Sequence, residues 1–339
     1  MKLRHSSIAT PAAGQPRGAK SRGLRWKLLL LLVSLALAVA LSEIGLRLFY
    51  RESLFGIQDE RNLLFRYDQT LGWFPIPNSR DRLLGSRVIT VINNSQGFRA
   101  LEYSGSNRPG IIFLGDSFLW GFDVEASERF TDKLQAKHPE WNIYNFGVSG
   151  YGTDQEYLLL QQYFDRYKPR VVFLLFCTEN DDDDNCSNVR YGGYYKPYCT
   201  VSGTVLQLHG IPVPRSERVW LAEHQRLARS YVVRLLVRAY FKATSPPVLQ
   251  NQNPTGPIIR DMQKYVSSKG ATLVVGLTRG QPHLEEFLHF FKIPFVDLTN
   301  PLRYPKLGAH WTPEGHTFVC EKVDEFLKEG KYLDERTAP

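Results

Sequence analysis

The sequence predicts an α/β fold built on a parallel sheet, and three observations predict it. Short apolar runs recur at Ile111–Leu114 and Val171–Phe176, as strands buried on both faces require, and Ala271–Leu277 reads as a further strand. Segments with helical spacing separate them, at 127–137, Thr153–Tyr167 and Pro257–Ser267. Alternation of the two kinds implies parallel strands covered on both sides. With 339 residues, 43% hydrophobic and 22% charged, the chain has ample length and composition for a core.

The net charge of +8 does not point to nucleic acid. Residues 1–27 hold seven basic residues and no acidic one, so the rest carries 35 basic against 34 acidic residues. A near-neutral body lacks the electrostatic footprint of a nucleic-acid binder.

The chain opens with a basic tail (1–25) rich in Ser, Ala, Gly and Pro. Leu28 to Leu41 is then almost wholly apolar. Its 14 residues fall short of the ~20 a spanning helix needs. Trp26 extends it on one side, and Ile44, Leu46, Leu48, Phe49 and Tyr50 on the other. A membrane anchor over 26–50, a signal peptide cleaved near Ala38-Val39-Ala40, and a core helix are the competing readings. The anchor is favoured because the apolar pattern runs past the cleavage motif. The basic tail then stays in the cytoplasm, and the remainder lies outside a membrane crossed once.

Residues 51–110 are expected to form an extension laid over the main domain, with an irregular packed segment at 71–77, a strand at Val88–Ile92 and a turn at Asn94–Arg99. In the main domain (111–330), a helix begins near 127, capped by Ser127. Trp141–Phe146 reads as a strand. Thr153–Tyr167 is a helix with an apolar and aromatic face, closed by Pro169. Phe295–Asp297 is a short strand, and Pro313–Lys328 the last helix. An insertion over 185–255 is too long for a plain loop. It holds a basic amphipathic helix, Gln225–Lys242, expected to pack on the core, with a lid or a membrane-surface helix as the alternative.

Cys177 and Cys320 lie in apolar elements and are expected as buried thiols. Cys186 and Cys199 are disulfide candidates in the polar insertion, given an oxidising compartment. Their spacing fits no zinc pattern, and Asp181–Asp184 lacks the spaced ligands of a calcium loop, so a solvated acidic loop is expected there and no metal or cofactor is assigned.

Four stretches end at one edge of the expected sheet. They are Gly115-Asp116-Ser117, Asn145 to Gly152, Thr178-Glu179-Asn180-Asp181, and His310 to His316. A serine at the carboxyl end of a strand serves equally as a helix N-cap or as a nucleophile. Acyl transfer needs a nucleophile, a base and oxyanion donors. Ser117, His310, and the set of Ser117 N–H, Gly150 N–H and Asn180 side-chain amide would supply them. His316 falls inside the last helix and is expected to be structural. Ser149 fails the nucleophile-elbow pattern because Tyr151 stands at its last glycine, and the glycines 147, 150 and 152 have the wrong spacing for a dinucleotide loop.

These four blocks resemble those of SGNH (GDSL-type) hydrolases, over 111–328 less the insertion. Asn94 to Arg99 resembles an element of a membrane-anchored bacterial branch. The resemblance implies a flavodoxin-like three-layer fold and a serine esterase without cofactor, with Ser117 as nucleophile, His310 as base, and Ser117, Gly150 and Asn180 around the oxyanion. One position departs. The family places an aspartate three residues before the histidine, and Leu307 stands there. Asp297 as a displaced acid, a dyad oriented by a backbone carbonyl, and an impaired site remain open. An anchored esterase suggests an ester or O-acylated envelope glycan as substrate. An O-acyltransferase, or a carbohydrate-binding or assembly protein on the same fold, is the alternative.

Overall fold

The computed structural model describes residues 19–50, 64–103, 108–306 and 308–332, with side chains from Gly23 onward. Most of the basic tail, the first part of the extension and Leu307 lie outside the described residues.

The chain divides into two compact units. The larger (57–225 with 238–339) contains a five-stranded sheet. Its strands are β1 (Gly110–Gly115), β2 (Asn142–Asn145), β3 (Val171–Phe176), β4 (Thr272–Leu277) and β5 (Phe295–Asp297). All pairings are parallel, in the order β5-β4-β3-β1-β2. This is the expected flavodoxin-like order. Every residue of β1 and β3 is buried, because both sheet faces are covered. Ile112, Leu114, Val172 and Leu174 face a core shared with helices Thr153–Tyr167 and Thr255–Ser268. Ile111, Phe113, Val171 and Phe173 face the opposite core, with Phe130–Lys137 and Pro313–Glu329. Period-2 alternation in the strands thus sets the three layers.

Residues 64–103 add their apolar side chains to the first core. Leu71, Trp73 and Phe98 are buried there beside Phe146 and Tyr151. The segment expected to be irregular contains a strand, Gly72–Pro75, paired antiparallel with Phe65–Asp68. The turn between them is fixed by Asp68, whose Oδ1 accepts from Thr70 N (2.9 Å) and Leu71 N (2.8 Å). Val88–Ile92 is a strand as expected, paired with Arg80–Leu84.

Two expectations need correction here. Ser127 caps nothing. One 3₁₀ turn covers Ala126–Glu128, and the helix starts at Phe130. The Asp181–Asp184 run is no solvated loop either, since Asp181 is 0% and Asp184 3% exposed, in the short helix Asp181–Asn185.

In the smaller unit (1–56 with 226–237), α1 (Ala19–Phe49) runs without interruption through Ala38-Val39-Ala40. Its portion Gly23–Phe49 is long and apolar enough to cross a membrane, and none of it is buried. Near its end, Glu43 accepts from Ser230 Oγ (2.9 Å) and from the Tyr231 and Val232 N–H groups (3.0 Å each). It thereby caps α2 (Tyr231–Thr244), whose first N–H groups have no partner within the helix. Leu235 and Leu236 of this helix are exposed.

Candidate active site

β1 delivers Ser117 to its carboxyl end, next to the point where strand order reverses. Asp116, not Ser117, caps the helical turn Ser117–Trp120, its Oδ1 accepting from Phe118 N at 2.9 Å. The serine hydroxyl is therefore released from the capping role. It is only partly buried, and Oγ lies 2.8 Å from Nε2 of His310 and 3.2 Å from Asp116 Oδ2. Ser117 Oγ donates to Asp116 Oδ2, and the donor in the shorter contact with His310 Nε2 is set by the imidazole tautomer.

His310 reaches Ser117 from the loop before the last helix. Thr312 caps that helix through Gly315 N (3.2 Å), with Pro313 as its first residue. The His310 ring stacks on Phe122 (centroids 4.6 Å apart) and lies against Phe118 (5.0 Å). Two aromatic walls thus restrict its rotation.

The other edge of the imidazole faces an acid that the sequence analysis did not single out. Asp123 Oδ2 is 3.8 Å from His310 Nδ1. Asp123 is fully buried, with φ of +68°, and accepts from Ser86 N (2.6 Å) and Ser86 Oγ (2.9 Å). Gly85 permits that approach, because a Cβ there would stand 2.0 Å from Asp123 Oδ1. The backbone around Asp123 is held by Arg99. Its guanidinium donates to the carbonyls of Gly121 (2.6 Å), Val124 (2.7 Å), Thr90 (3.0 Å) and Trp120 (3.2 Å). Asp297, the displaced acid expected from sequence, is exposed at the end of β5 and accepts from Thr299 N (2.8 Å) and Thr299 Oγ1 (2.6 Å).

Gly150 follows β2 with φ of +82°, a conformation glycine adopts at little cost. Its N–H has no acceptor among the described residues. Trp73 Nε1 fixes the loop by donating to Ser149 O (3.2 Å), and Val148 N donates to Gly115 O (3.0 Å). The ring of Tyr191 covers Gly150, 2.5 Å from where a Cβ would stand. Asn180 follows β3. One N–H of its amide donates to Asp184 Oδ2 at 2.6 Å, which leaves the second for a ligand. Asp184 also pairs with Arg190. Burial pushes the Asp184 carboxyl up to about 7, against the opposing pull of Arg190 and Asn180.

Behind the site lie more buried acids. Burial and neighbouring carboxylates hold Glu156 and Asp181 well above the usual range. Neither Glu156 oxygen accepts a hydrogen bond among the described residues, as a neutral carboxyl tolerates. Asp116, Cys177 and Asp181 are close enough to share a cation, with ligand atoms within 4.8 Å of one another. Burial holds the Cys177 thiol well above its ordinary value, and Asp181 Oδ2 already accepts from Cys177 N (2.7 Å). His316 is buried in the last helix, pushed down to about 3 by burial and by Arg129 and Arg99, and its Nδ1 accepts from Phe130 N (3.3 Å). It has a structural role, as expected.

The disulfide candidates are corrected. Cys186 and Cys199 are both free and buried. Cys199 lies in a hairpin strand opposite Leu208, and Cys186 closes the turn after Asp181–Asn185, so the two sit in separate elements. Burial pushes Cys199 up to about 12.

The segments carrying Ser117, Gly150 and Asn180 follow β1, β2 and β3 of the parallel sheet, and His310 Nε2 reaches the Ser117 hydroxyl. The chain is similar to solved GDSL-type hydrolases. TesA matches over 65% of this chain and 98% of its own, at 12% identity and a TM-score of 0.40. The esterase EstA from Pseudoalteromonas sp. matches over 66% and 98%, at 8% identity and 0.39. A two-domain esterase active on acetylated mannans, CEX, matches over 68% of this chain and 52% of its own, at 13% identity and 0.37. No family model and no curated protein sequence matches the chain.

Proposed function

We propose that this chain is a serine ester hydrolase of the SGNH type, anchored by α1 with its catalytic domain outside the cytoplasmic membrane. The observation that carries the reading is the 2.8 Å contact between Ser117 Oγ and His310 Nε2 at the carboxyl edge of the sheet. Ser117 Oγ attacks the ester carbonyl carbon while His310 Nε2 takes its proton. The oxyanion is met by Ser117 N–H, Gly150 N–H and the free amide proton of Asn180. Collapse expels the alcohol with the proton from His310 and leaves an acyl-serine. Water then attacks as His310 again takes a proton, and His310 returns it to Ser117 Oγ as the acyl–oxygen bond breaks and the acid departs. Asp123 is the acid of this set. At 3.8 Å it is at ion-pair distance from Nδ1, and it stabilises the imidazolium that each proton transfer forms. Contacts of this kind are long in unliganded sites and tighten with substrate.

An anchored esterase suits an O-acylated envelope polysaccharide. The ring of Tyr191 over Gly150 favours a small acyl group such as acetyl. A sugar hydroxyl in place of water would make the same acyl-serine an acyltransferase intermediate. The test is a short-chain aryl ester assay with wild type and Ser117→Ala, beside fluorophosphonate labelling. Loss of both turnover and label in a folded Ser117→Ala supports the reading. Equal turnover in both proteins refutes it.

A further inference from the structure

Beside α1, within the smaller unit, runs a groove of about 730 Å³. Leu32, Leu35, Ala36, Val39 and Ala40 form its apolar half. Its other end is charged. Arg226, Arg229 and Arg47 line it together with Glu43. Glu43 is already engaged by Ser230, Tyr231 N, Val232 N and Arg47 (Nε–Oε1 2.9 Å), and Arg47 also donates to Arg229 O (3.0 Å). The side chains of Arg226 and Arg229 are exposed and have no carboxylate or hydrogen-bond partner among the described residues. The groove therefore has an apolar length and a head bearing two uncommitted guanidinium groups. Guanidinium groups match phosphate oxygens in pairs. Glu43 stands two residues beyond the apolar run Leu28–Leu41, where a spanning helix would meet the headgroups. Leu227, Leu235 and Leu236 are exposed beside it, as a helix lying in the interface requires.

We propose that this groove binds one anionic phospholipid, an acyl chain along Leu32–Ala40 and the phosphate against Arg226 and Arg229. The proposal rests on the reading of α1 as a membrane anchor. The lipid belongs to the leaflet opposite the basic tail. The pair of arginines selects for charge, while the apolar half selects for a chain over a free phosphate. By this arrangement Glu43 fixes the start of α2, and the two arginines just before it hold the lipid.

The test uses the full chain. Extraction of membranes at alkaline pH comes first: a chain released to the supernatant overturns the anchor reading and this proposal together. For a chain that stays with the membrane, the protein in mild nonionic detergent is titrated with phosphatidylglycerol or phosphatidylcholine of equal chain length, and bound lipid is counted by native mass spectrometry. One phosphatidylglycerol per chain is expected, preferred about ten-fold, given the strength of basic residues on anionic lipid surfaces. Arg226→Gln/Arg229→Gln removes the preference, Arg226→Lys/Arg229→Lys keeps most of it, and Arg25→Gln/Lys27→Gln leaves it unchanged. Equal binding of the two lipids by wild type, or a preference surviving in Arg226→Gln/Arg229→Gln, overturns the lipid site and leaves the anchor standing. Displacement by inorganic phosphate alone also overturns it, because the apolar half would then contribute nothing.

Discussion

Asp123 and His310 meet edge to edge, Oδ2 at 3.8 Å from Nδ1, on the side of the ring opposite Ser117. The two are far apart in sequence, and the aspartate comes from the loop directly after the nucleophile rather than from the loop before the histidine. The first prediction follows. Asp123→Asn lowers kcat by about 10²-fold or more, while Asp297→Asn stays near wild type. Steady-state kinetics on an aryl ester with both variants checks it. The reverse order would return the role to Asp297.

Arg99 supports Asp123 through four backbone carbonyls. Arg99→Gln leaves several of them buried without a donor, at a cost of about 2–4 kcal/mol. Chemical denaturation measures the loss. Because the loop 120–124 is released, kcat falls as well, and a pH–rate profile with a weakened basic limb separates this from simple unfolding.

Tyr191 sits over Gly150 and narrows access to it. Tyr191→Ala is expected to raise kcat/KM for esters of longer acids by about ten-fold over wild type, with the acetyl ester little changed. One extra methylene in a restricted pocket is worth about 1–3 kcal/mol. Gly150→Ala has the opposite result. The methyl group meets the Tyr191 ring and strains a φ of +82°, and activity drops for every ester.

Asp184 makes stability depend on pH in an unusual direction. Its carboxyl titrates at about 7 in the folded chain and near 3.8 in the unfolded one. The folded state therefore holds the proton longer. Stability is greatest below about pH 4, declines as pH rises toward 7, and is level above it. At 1.36 kcal/mol per pH unit, the decline from this group is at most about 4 kcal/mol. Glu156 and Asp181 act in the same direction. Melting temperatures of wild type and Asp184→Asn between pH 5 and 8 check this, with a flatter curve for the variant.

Much of this architecture was legible in the sequence. Thr153–Tyr167 and Val171–Phe176 carry strong periodicity and were placed to the residue. That Ser117, Gly150 and Asn180 follow β1, β2 and β3 was read from the strand ends of a parallel sheet, and His310 meets Ser117 there. Other parts were not legible because their determinants are local turns or distant partners. The hairpin Tyr198–Ser202 with Val205–His209 turns on Gly203 at φ of +62°, a local turn inside a long insertion. Asp181 and Asp184 look like solvated charges in sequence, and packing of their short helix against Thr153–Tyr167 and Thr255–Ser268 makes them buried. Asp123 lies in a loop without periodicity. The available signal was an acidic residue after Gly121-Phe122, close to the serine, where a turn can aim it back at the strand end.

The separation of Ser117 from His310, 193 residues, bears on how the protein comes to life during synthesis. The fifth strand ends at Asp297, so a chain that has emerged that far has all the strands of its scaffold and its nucleophile. It still has no base. Under the proposed mechanism the Ser117 hydroxyl would gain its base only when the segment carrying His310 arrives, ahead of the final helix. A premature stop or a proteolytic cut just after Asp297 would leave a body with every strand and no turnover. Under the proposed mechanism, the segment after Asp297 would arm the site, because it brings His310 to a serine already in place.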